Sequence, residues 1–312
     1  MTVYNNLENF SVEKPVVSVG TFDGVHIGHR HILQRTLSWA KEVGGEAVVV
    51  TLWPHPRIVL NPEVQNLKLL NTPEEKEMLL QQLGIKHLVV LPFTAEFASL
   101  TSCQFIRQYL LGAMNAHYLV YGFDHRFGCD REGDPAKIKG CVSDSQLEVE
   151  KLEGLLMNHK KISSTHIRQV LLDGDIANAN KMLGYQYFLS GKVIEGRRIG
   201  RSIGFPTANI EVKENYKLVP TDGVYAVKVK IDDKWLNGML NIGQNPTVSH
   251  SHAGRSIEVN IFDYADTLYN QQVSLQFIAR LRNEIKFDSI DLLRQQLEKD
   301  KAECLKILRM HH

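Results

Sequence analysis

No apolar run in this sequence approaches the roughly 18 residues that a membrane-spanning helix needs. Nor is there a basic N-terminus followed by an apolar stretch, the mark of a secretory leader. These absences lead to the expectation of a soluble, cytoplasmic protein. Net charge is nearly absent as well, +1 from 36 Lys and Arg against 35 Asp and Glu, so no global field favours nucleic acid or anionic lipid. Cysteine is scarce. Cys103, Cys129, Cys141 and Cys304 lie far apart, with no C-x-x-C pair and no His/Cys metal spacing, and free thiols in a reducing cytosol are expected. Internal repeats and low-complexity linkers are missing too. What remains is an ordinary globular composition, 43% hydrophobic and 23% charged. At 312 residues the chain is long enough for two domains that each bury a core. The terminal His311-His312 pair is assigned no role.

Up to about residue 185, apolar strand-like runs alternate with helical segments. Val16–Gly20, Ala47–Leu52, His87–Leu91, Tyr118–Tyr121 and Leu147–Leu152 read as strands, the first four nearly continuous in apolar residues, as parallel strands covered on both faces are. Between them, Thr72-Pro73-Glu74-Glu75 carries an N-cap, a proline at the first helical position and a capping box, and Gly84 is the stop. Gly28–Val43, ended by Gly44-Gly45, is a second helix, and Thr101-Ser102 begins a third. This alternation predicts a Rossmann-like α/β domain. After residue 186 short strands follow one another: Tyr187–Val193, Val224–Ile231, Trp235–Asn241, Ser256–Phe262 and Val273–Leu281. A helix from Ser289 to Arg309 closes the chain, with Ile290, Leu293, Leu297, Leu305 and Leu308 expected on its buried face. The fold class is therefore α/β followed by β, with domains at 1–184 and 185–312, the second a small antiparallel barrel with a C-terminal helix.

In the first half the segment from Ser18 to His29, S-V-G-T-F-D-G-V-H-I-G-H, ends a strand and opens a helix. A helix N-terminus presents unpaired N–H groups and a positive dipole end, which favour phosphate. Gly20, Gly24 and Gly28 let the backbone turn tightly, and Phe22 lies among them. His26 and His29, three apart, can face the same side and donate hydrogen bonds to phosphate oxygens as charge builds. The expected chemistry is nucleotidyl transfer from ATP, which needs positioning and charge stabilisation rather than a nucleophilic side chain. Three further segments point to the same strand ends. They are the loop around His55 between two prolines, the segment Tyr121–Gly128 with Asp124 and Arg126, and Ser163-Ser164-Thr165 at a helix start with Arg168 one turn on. Phe127 is assigned to the core.

In the second half, Gly200-Arg201-Ser202-Ile203-Gly204-Phe205-Pro206-Thr207-Ala208-Asn209 is the densest cluster. A Gly-rich loop with Arg201 can wrap phosphates, while Thr207 and Asn209, two apart on an extended segment, offer hard oxygens suited to Mg²⁺. A barrel corner with a cap explains the same letters equally well. Its companions are Asp222-Gly223-Val224-Tyr225, a polar loop beginning at Asn241, and Glu258, which alternation puts opposite Val259 and Ile261 and beside Asn260. A carboxylate there can serve as general base for an alcohol.

Four first-half motifs, G-T-F-D-G-V-H-x-G-H, x-P-H-P, G-x-D-x-R-F-G and I-S-S-T-x-I-R, occur here in the order they have in bacterial FAD synthetases, and the sequence resembles that family. The second-half motifs G-R-x-x-G-F-P-T-A-N, D-G-V-Y and N-I-G-x-x-P-T, with the Glu258 strand, resemble the riboflavin kinase module of the same two-domain enzymes. The resemblance implies ATP contacts for His26, His29, Ser163, Thr165 and Arg168, with Asp124 and Arg126 along the ATP or flavin phosphates. For the barrel it implies Mg·ATP at Thr207 and Asn209, and Glu258 as the base for the riboflavin 5′-hydroxyl. Gly20, Phe22, Gly28, His55 and Ser164 join the first site, and Gly200, Arg201, Gly204, Pro206, Asp222, Tyr225 and Asn241 the second. Riboflavin, FMN, FAD and ATP are the implied small molecules, with no nucleic-acid or membrane partner. His125 stands where the family more often has Phe, and Asn260 where it usually has His. Three alternatives remain at this point. His26–His29 with Lys161–Ser164 is also similar to class I aminoacyl-tRNA synthetases; the adenylyl acceptor can be another phosphorylated compound; or the barrel binds flavin without turnover.

Overall fold

The computed structural model describes residues 1–60, 67–123, 125–143, 145–157, 160–196, 200, 203–244, 255–264 and 266–310. The chain divides into two compact units, Met1–Ser164 and Thr165–His312.

The first unit is built on a six-stranded sheet of β1 (Thr2–Tyr4), β2 (Pro15–Val19), β3 (Glu46–Trp53), β4 (His87–Pro92), β5 (Tyr118–Gly122) and β6 (Glu148–Leu152). Its order is β1-β4-β3-β2-β5-β6 and every pairing is parallel. Helices α1 (Ile27–Val43), α2 (Pro56–Leu60), α3 (Pro73–Gln82), α4 (Ala95–Ala98), α5 (Ser102–Phe105) and α6 (Pro135–Cys141) lie between the strands, and α5 runs on as a π-helix over Ile106–Ala113. All five residues of β2 are buried, which is why its sequence is an unbroken apolar run rather than an alternation. The three-residue strand β1 escaped the sequence reading, because it is too short and too exposed to show a pattern. The α3 signals hold in full: Thr72 and Glu75 form a reciprocal capping box and Pro73 leads the helix. Gly44 caps α1 in the left-handed conformation. A hairpin of β7 (Leu156–Met157) and β8 (Lys160–Lys161) precedes the last helix start of this unit.

The thiol expectation is corrected for two residues. Cys103 on α5 and Cys141 at the end of α6 form a disulfide, with Cα atoms 5.3 Å apart across 38 residues of sequence. Cys129 and Cys304 are free. Spacing along the chain carries no trace of this pair, because two helices docked on one sheet face bring it together.

The second unit opens with α7 (Ser164–Leu172, whose first residue closes the first unit) and α8 (Ile176–Leu183). A closed six-stranded barrel follows, made of β9 (Phe188–Ile194), β10 (Ala208–Glu211), β11 (Gly223–Ile231), β12 (Lys234–Gln244), β13 (Arg255–Ile261) and β14 (Gln272–Arg282). Every ladder is antiparallel, and the order is β10-β13-β12-β11-β14-β9. Strand β10 lies where the sequence showed only the end of a glycine-rich cluster. The C-terminal helix α9 (Ile290–Arg309) begins at the Ser289 N-cap. Its packed stripe includes Leu297, Cys304, Leu305 and Leu308, while Ile290 is 67% exposed, contrary to expectation. The stripe also takes in Asp300, which is 2% exposed. Arg282 on β14 meets its carboxylate through Nε at 3.0 Å and a terminal nitrogen at 2.6 Å.

Removing one partner of a buried, doubly bonded ion pair strands the other's charge. Asp300→Ala should therefore destabilise the second unit by about 3 kcal/mol, seen as a lower unfolding midpoint in urea.

Candidate active sites

In the first unit the strand order reverses direction at β2, with β3 and β4 to one side and β5 and β6 to the other. Ligands in open α/β sheets bind beyond the carboxyl ends of strands at such a point. The loops after β2, β3 and β5 leave from there: the first ends at His26 and leads into the helix that carries His29, and the others carry His55 and Arg126.

His26 is the N-cap of α1, and its Nδ1 accepts the His29 backbone N–H at 3.3 Å. An imidazole whose Nδ1 accepts carries its proton on Nε2 when neutral, so Nε2 is left as a donor. The two rings stack at 3.6 Å between centroids and 16° between planes. Burial pushes the His26 pKa down to about 4. His29 falls well below its ordinary value for the same reason, reinforced by the neighbouring His26 and Lys76. Both rings are neutral at physiological pH, and His29 Nδ1 is buried with no hydrogen-bond partner among the described residues. A Cβ at Gly28 would crowd the His26 ring at 3.2 Å. Gly20 donates its N–H to the Val50 carbonyl and ties β2 to β3.

Phe22, a contact candidate in the sequence, is 2% exposed and packs its ring edge-on to His29, so it supports the histidine from within. His55 is buried at the start of α2, its Nδ1 accepting the Arg57 N–H. Arg126 is exposed and donates to the Phe123 and His125 carbonyls, at one wall of a 310 Å³ cavity with Arg131 and Lys151. Asp124 lies outside the described residues. Phe127 is core, as expected. The Ser164 hydroxyl donates to the Asp23 carbonyl at 2.8 Å, tying the last residue of the first unit to the loop before His26. Ser163 precedes it. Further along α7, Arg168 donates to the Thr165 hydroxyl at 3.1 Å.

One residue of this site had no sequence signal. Lys76, on the first turn of α3, is buried and donates to the Thr21 carbonyl at 2.7 Å and to Thr51 Oγ1 at 3.3 Å. Burial lowers its pKa to about 8, against the opposing pull of Asp23. A lysine three residues into a capped helix reads as a solvated side chain, and only the packing of α3 makes it otherwise.

In the barrel, register gathers the chemistry. Glu258 on β13 pairs with Asn209 on β10 and with Asn241 on β12, so the three side chains stand abreast on one face. Thr207 Oγ1 lies 3.2 Å from the Glu258 carboxylate. Alternation along β13 sends Glu258 and Asn260 to a largely apolar cavity of 360 Å³, closed by Met239, Leu293 and Leu297. Val259 and Ile261 face a second cavity of 320 Å³ beside Tyr264 and Tyr269. Thr207 borders both. Asn260 donates from its amide nitrogen to the Pro206 carbonyl at 2.6 Å and so holds the loop that presents Thr207. Gly200 is required by close approach, since a Cβ would come within 2.1 Å of the Phe205 carbonyl oxygen; Gly204 lies in the same turn. Arg201 lies outside the described residues. Two expectations shift. Tyr225 sits in the barrel interior, fully buried, its hydroxyl donating to the Thr221 carbonyl. Asp222 accepts from Arg255 Nε at 2.7 Å, an ion pair at the barrel end.

Family models match both halves: FAD synthetase over residues 9–166 and riboflavin kinase over residues 183–308. The chain belongs to the bifunctional riboflavin kinase/FMN adenylyltransferase family. Among its relatives, the Bacillus subtilis (strain 168) enzyme of that name is 39% identical over 294 residues, covering 94% of this chain and 92% of the relative. The Escherichia coli (strain K12) enzyme is 33% identical, covering 95% and 93%. A crystal structure from Streptococcus pneumoniae, described as a macrolide-efflux protein, superposes with a TM-score of 0.87 at 35% identity, covering 96% of this chain and 97% of that one. No helix among the described residues is long and apolar enough to cross a membrane.

A histidine whose pKa is depressed by folding leaves the unfolded chain to take up the proton. Stability is therefore intact above pH 6.5 and is lost as pH falls toward 4. Lowering the pH from 7 to 5 should cost the first unit about 2 kcal/mol through His26 alone. His26→Asn should shrink that loss, and urea unfolding at the two pH values measures it.

Proposed function

We propose that the two sites divide FAD synthesis between them, with residues 1–184 and 185–312 as the functional modules. The chain is a transferase with riboflavin kinase and FMN adenylyltransferase activities, and riboflavin, FMN, FAD and ATP are its substrates and products. The kinase step belongs to the barrel. Glu258 takes the proton of the riboflavin 5′-hydroxyl as that oxygen attacks the γ-phosphorus of ATP, giving FMN and ADP. The apolar cavity beside Glu258 suits the flavin ring, and the neighbouring cavity across Thr207 suits the nucleotide, so the hydroxyl and the γ-phosphate meet at Thr207. The observation that carries this reading is the alignment of Asn209, Glu258 and Asn241 with Thr207 against the carboxylate.

Among the described residues no three His, Cys, Asp or Glu side chains gather as a metal site. The donors present are the Thr207 hydroxyl and the Asn209 carboxamide beside one carboxylate, hard oxygens that fit Mg²⁺ carried mainly by ATP phosphates. When bound, Mg²⁺ supplies charge neutralisation on those phosphates. Gly200, Arg201, Gly204 and Pro206 are assigned to the same substrates by the family resemblance.

The adenylyl step belongs to the first unit. An FMN phosphate oxygen attacks the α-phosphorus of a second ATP, and pyrophosphate leaves. His26 Nε2–H and the His29 ring donate to the phosphate oxygens, where charge accumulates in the transition state. By the family resemblance Ser163, Thr165 and Arg168 are assigned to ATP, and Asp124 and Arg126 to the flavin phosphate or ATP. The reaction takes place in the cytoplasm, on small molecules, without a nucleic-acid or membrane partner.

His29→Ala should abolish FAD formation from FMN and leave riboflavin phosphorylation intact. Glu258→Ala should do the reverse, with a loss in the kinase rate on the order of 100-fold or more. Product analysis with riboflavin, ATP and Mg²⁺, and then with FMN added, separates the two. Equal loss of both steps in either folded variant contradicts the division.

A further inference from the structure

Between the end of β2 and the start of α1 the chain adopts a backbone that its side chains oppose. Phe22 has φ +46° and Val25 φ +35°, both in the left-handed region, where a β-branched residue is rarely found. Such a segment persists only where its surroundings over-determine it. The Asp23 carboxylate accepts the Leu70 N–H at 2.8 Å, and the Asp23 carbonyl accepts the Ser164 hydroxyl. Arg30 Nε donates to the Val25 carbonyl at 3.2 Å. The Thr21 carbonyl, immediately before the strained Phe22, is held by the Lys76 ammonium at 2.7 Å and approached by the Thr51 hydroxyl at 3.4 Å.

A buried ammonium is a costly way to hold a loop if stability alone is at stake, since an apolar side chain of similar volume packs as well or better. The Thr21–Phe22 peptide is trans and planar, so fixing the Thr21 carbonyl on Lys76 aims the Phe22 N–H the opposite way. The Phe22 ring then lies 5.4 Å from the His29 ring. We propose that Lys76 is a positioning residue for adenylyl transfer, clamping the Thr21–Phe22 peptide and, through the Phe22 ring, setting His29 against the reacting phosphates. Burial lowers the His29 pKa, and the Lys76 charge adds to that effect after His26. The proposal rests on the adenylyltransferase reading of this site, which His29→Ala tests separately.

The test uses the full chain with Lys76→Met, which keeps the length and removes the charge. Misplacing a catalytic group by an ångström costs about 100-fold, so kcat for FMN adenylylation should fall by that order while KM for ATP changes less than about threefold. Riboflavin phosphorylation by the same preparation should be unchanged, and the first unit should unfold at or above its parent midpoint. A kcat within about threefold of the parent, or a loss confined to KM, overturns the proposal. Where Lys76→Met does not fold, Thr51→Val decides, since it removes one of the two acceptors and leaves the ammonium. That variant should lower kcat by about three- to tenfold at constant KM, and an unchanged kcat again overturns the proposal. If adenylylation survives in Lys76→Met but not in His29→Ala, the proposal alone fails. If it survives in both, the reading of the site fails with it.

Discussion

The hydrogen bonds that hold the loop after β2 shape the first unit's site. Asp23 binds the chain before α3 through its carboxylate and Ser164, the last residue of the unit, through its carbonyl. Lys76 reaches back from α3 to Thr21 and Thr51, joining the ends of β2 and β3. Segments far apart in sequence thus meet on the loop between β2 and α1, which delivers His26 as N-cap and leads to His29 in the helix's first turn. The His26 ring spends its Nδ1 on the helix cap, which leaves the opposite nitrogen as the donor. One hydrogen bond sets tautomer, ring orientation and helix start together.

The barrel solves its positioning problem by register. A strand's period of two separates Glu258 and Asn260 from Val259 and Ile261 without further devices, and antiparallel pairing brings Asn209 and Asn241 to either side of the carboxylate. The same period turns Tyr225 inward, where its hydroxyl needs the Thr221 carbonyl. Asn260 completes the arrangement from a neighbouring position. Its amide donor supplies the bond to Pro206 that fixes the Thr207 loop, so a polar side chain other than histidine meets the local requirement. Below this face, Asp300 and Arg282 join α9 to β14, next to the apolar cavity that Leu293 and Leu297 help to close.

Legibility followed the range of each signal. The α3 capping box, the Gly44 stop and the buried β2 run are governed by residues within a few positions of one another, and all appear as expected. The α9 stripe was legible only in part: apolarity marked Leu297 and Leu308 but also Ile290, which is exposed, and it passed over Asp300, which is not. A paired carboxylate looks like a solvent residue until its arginine arrives from another element. Strand β10 and the Cys103–Cys141 bond were hidden for the same reason, since each exists only through a partner remote in sequence.

By itself, the sequence determined the order of two architectures and the residue types at the chemical centres. Hydrophobic period, caps and glycine-rich turns act over a few residues and need no tertiary partner. The imidazole pair, the hydroxyl-carboxamide pair and the carboxylate are written in the chain as letters. Tertiary structure decided which of those letters are accessible and what their protons do. It neutralised His26 and His29 by burial, sent Phe22 and Tyr225 inward, and brought Lys76 into the first site. Those outcomes depend on desolvation and on groups from distant elements, and neither exists until the chain has folded.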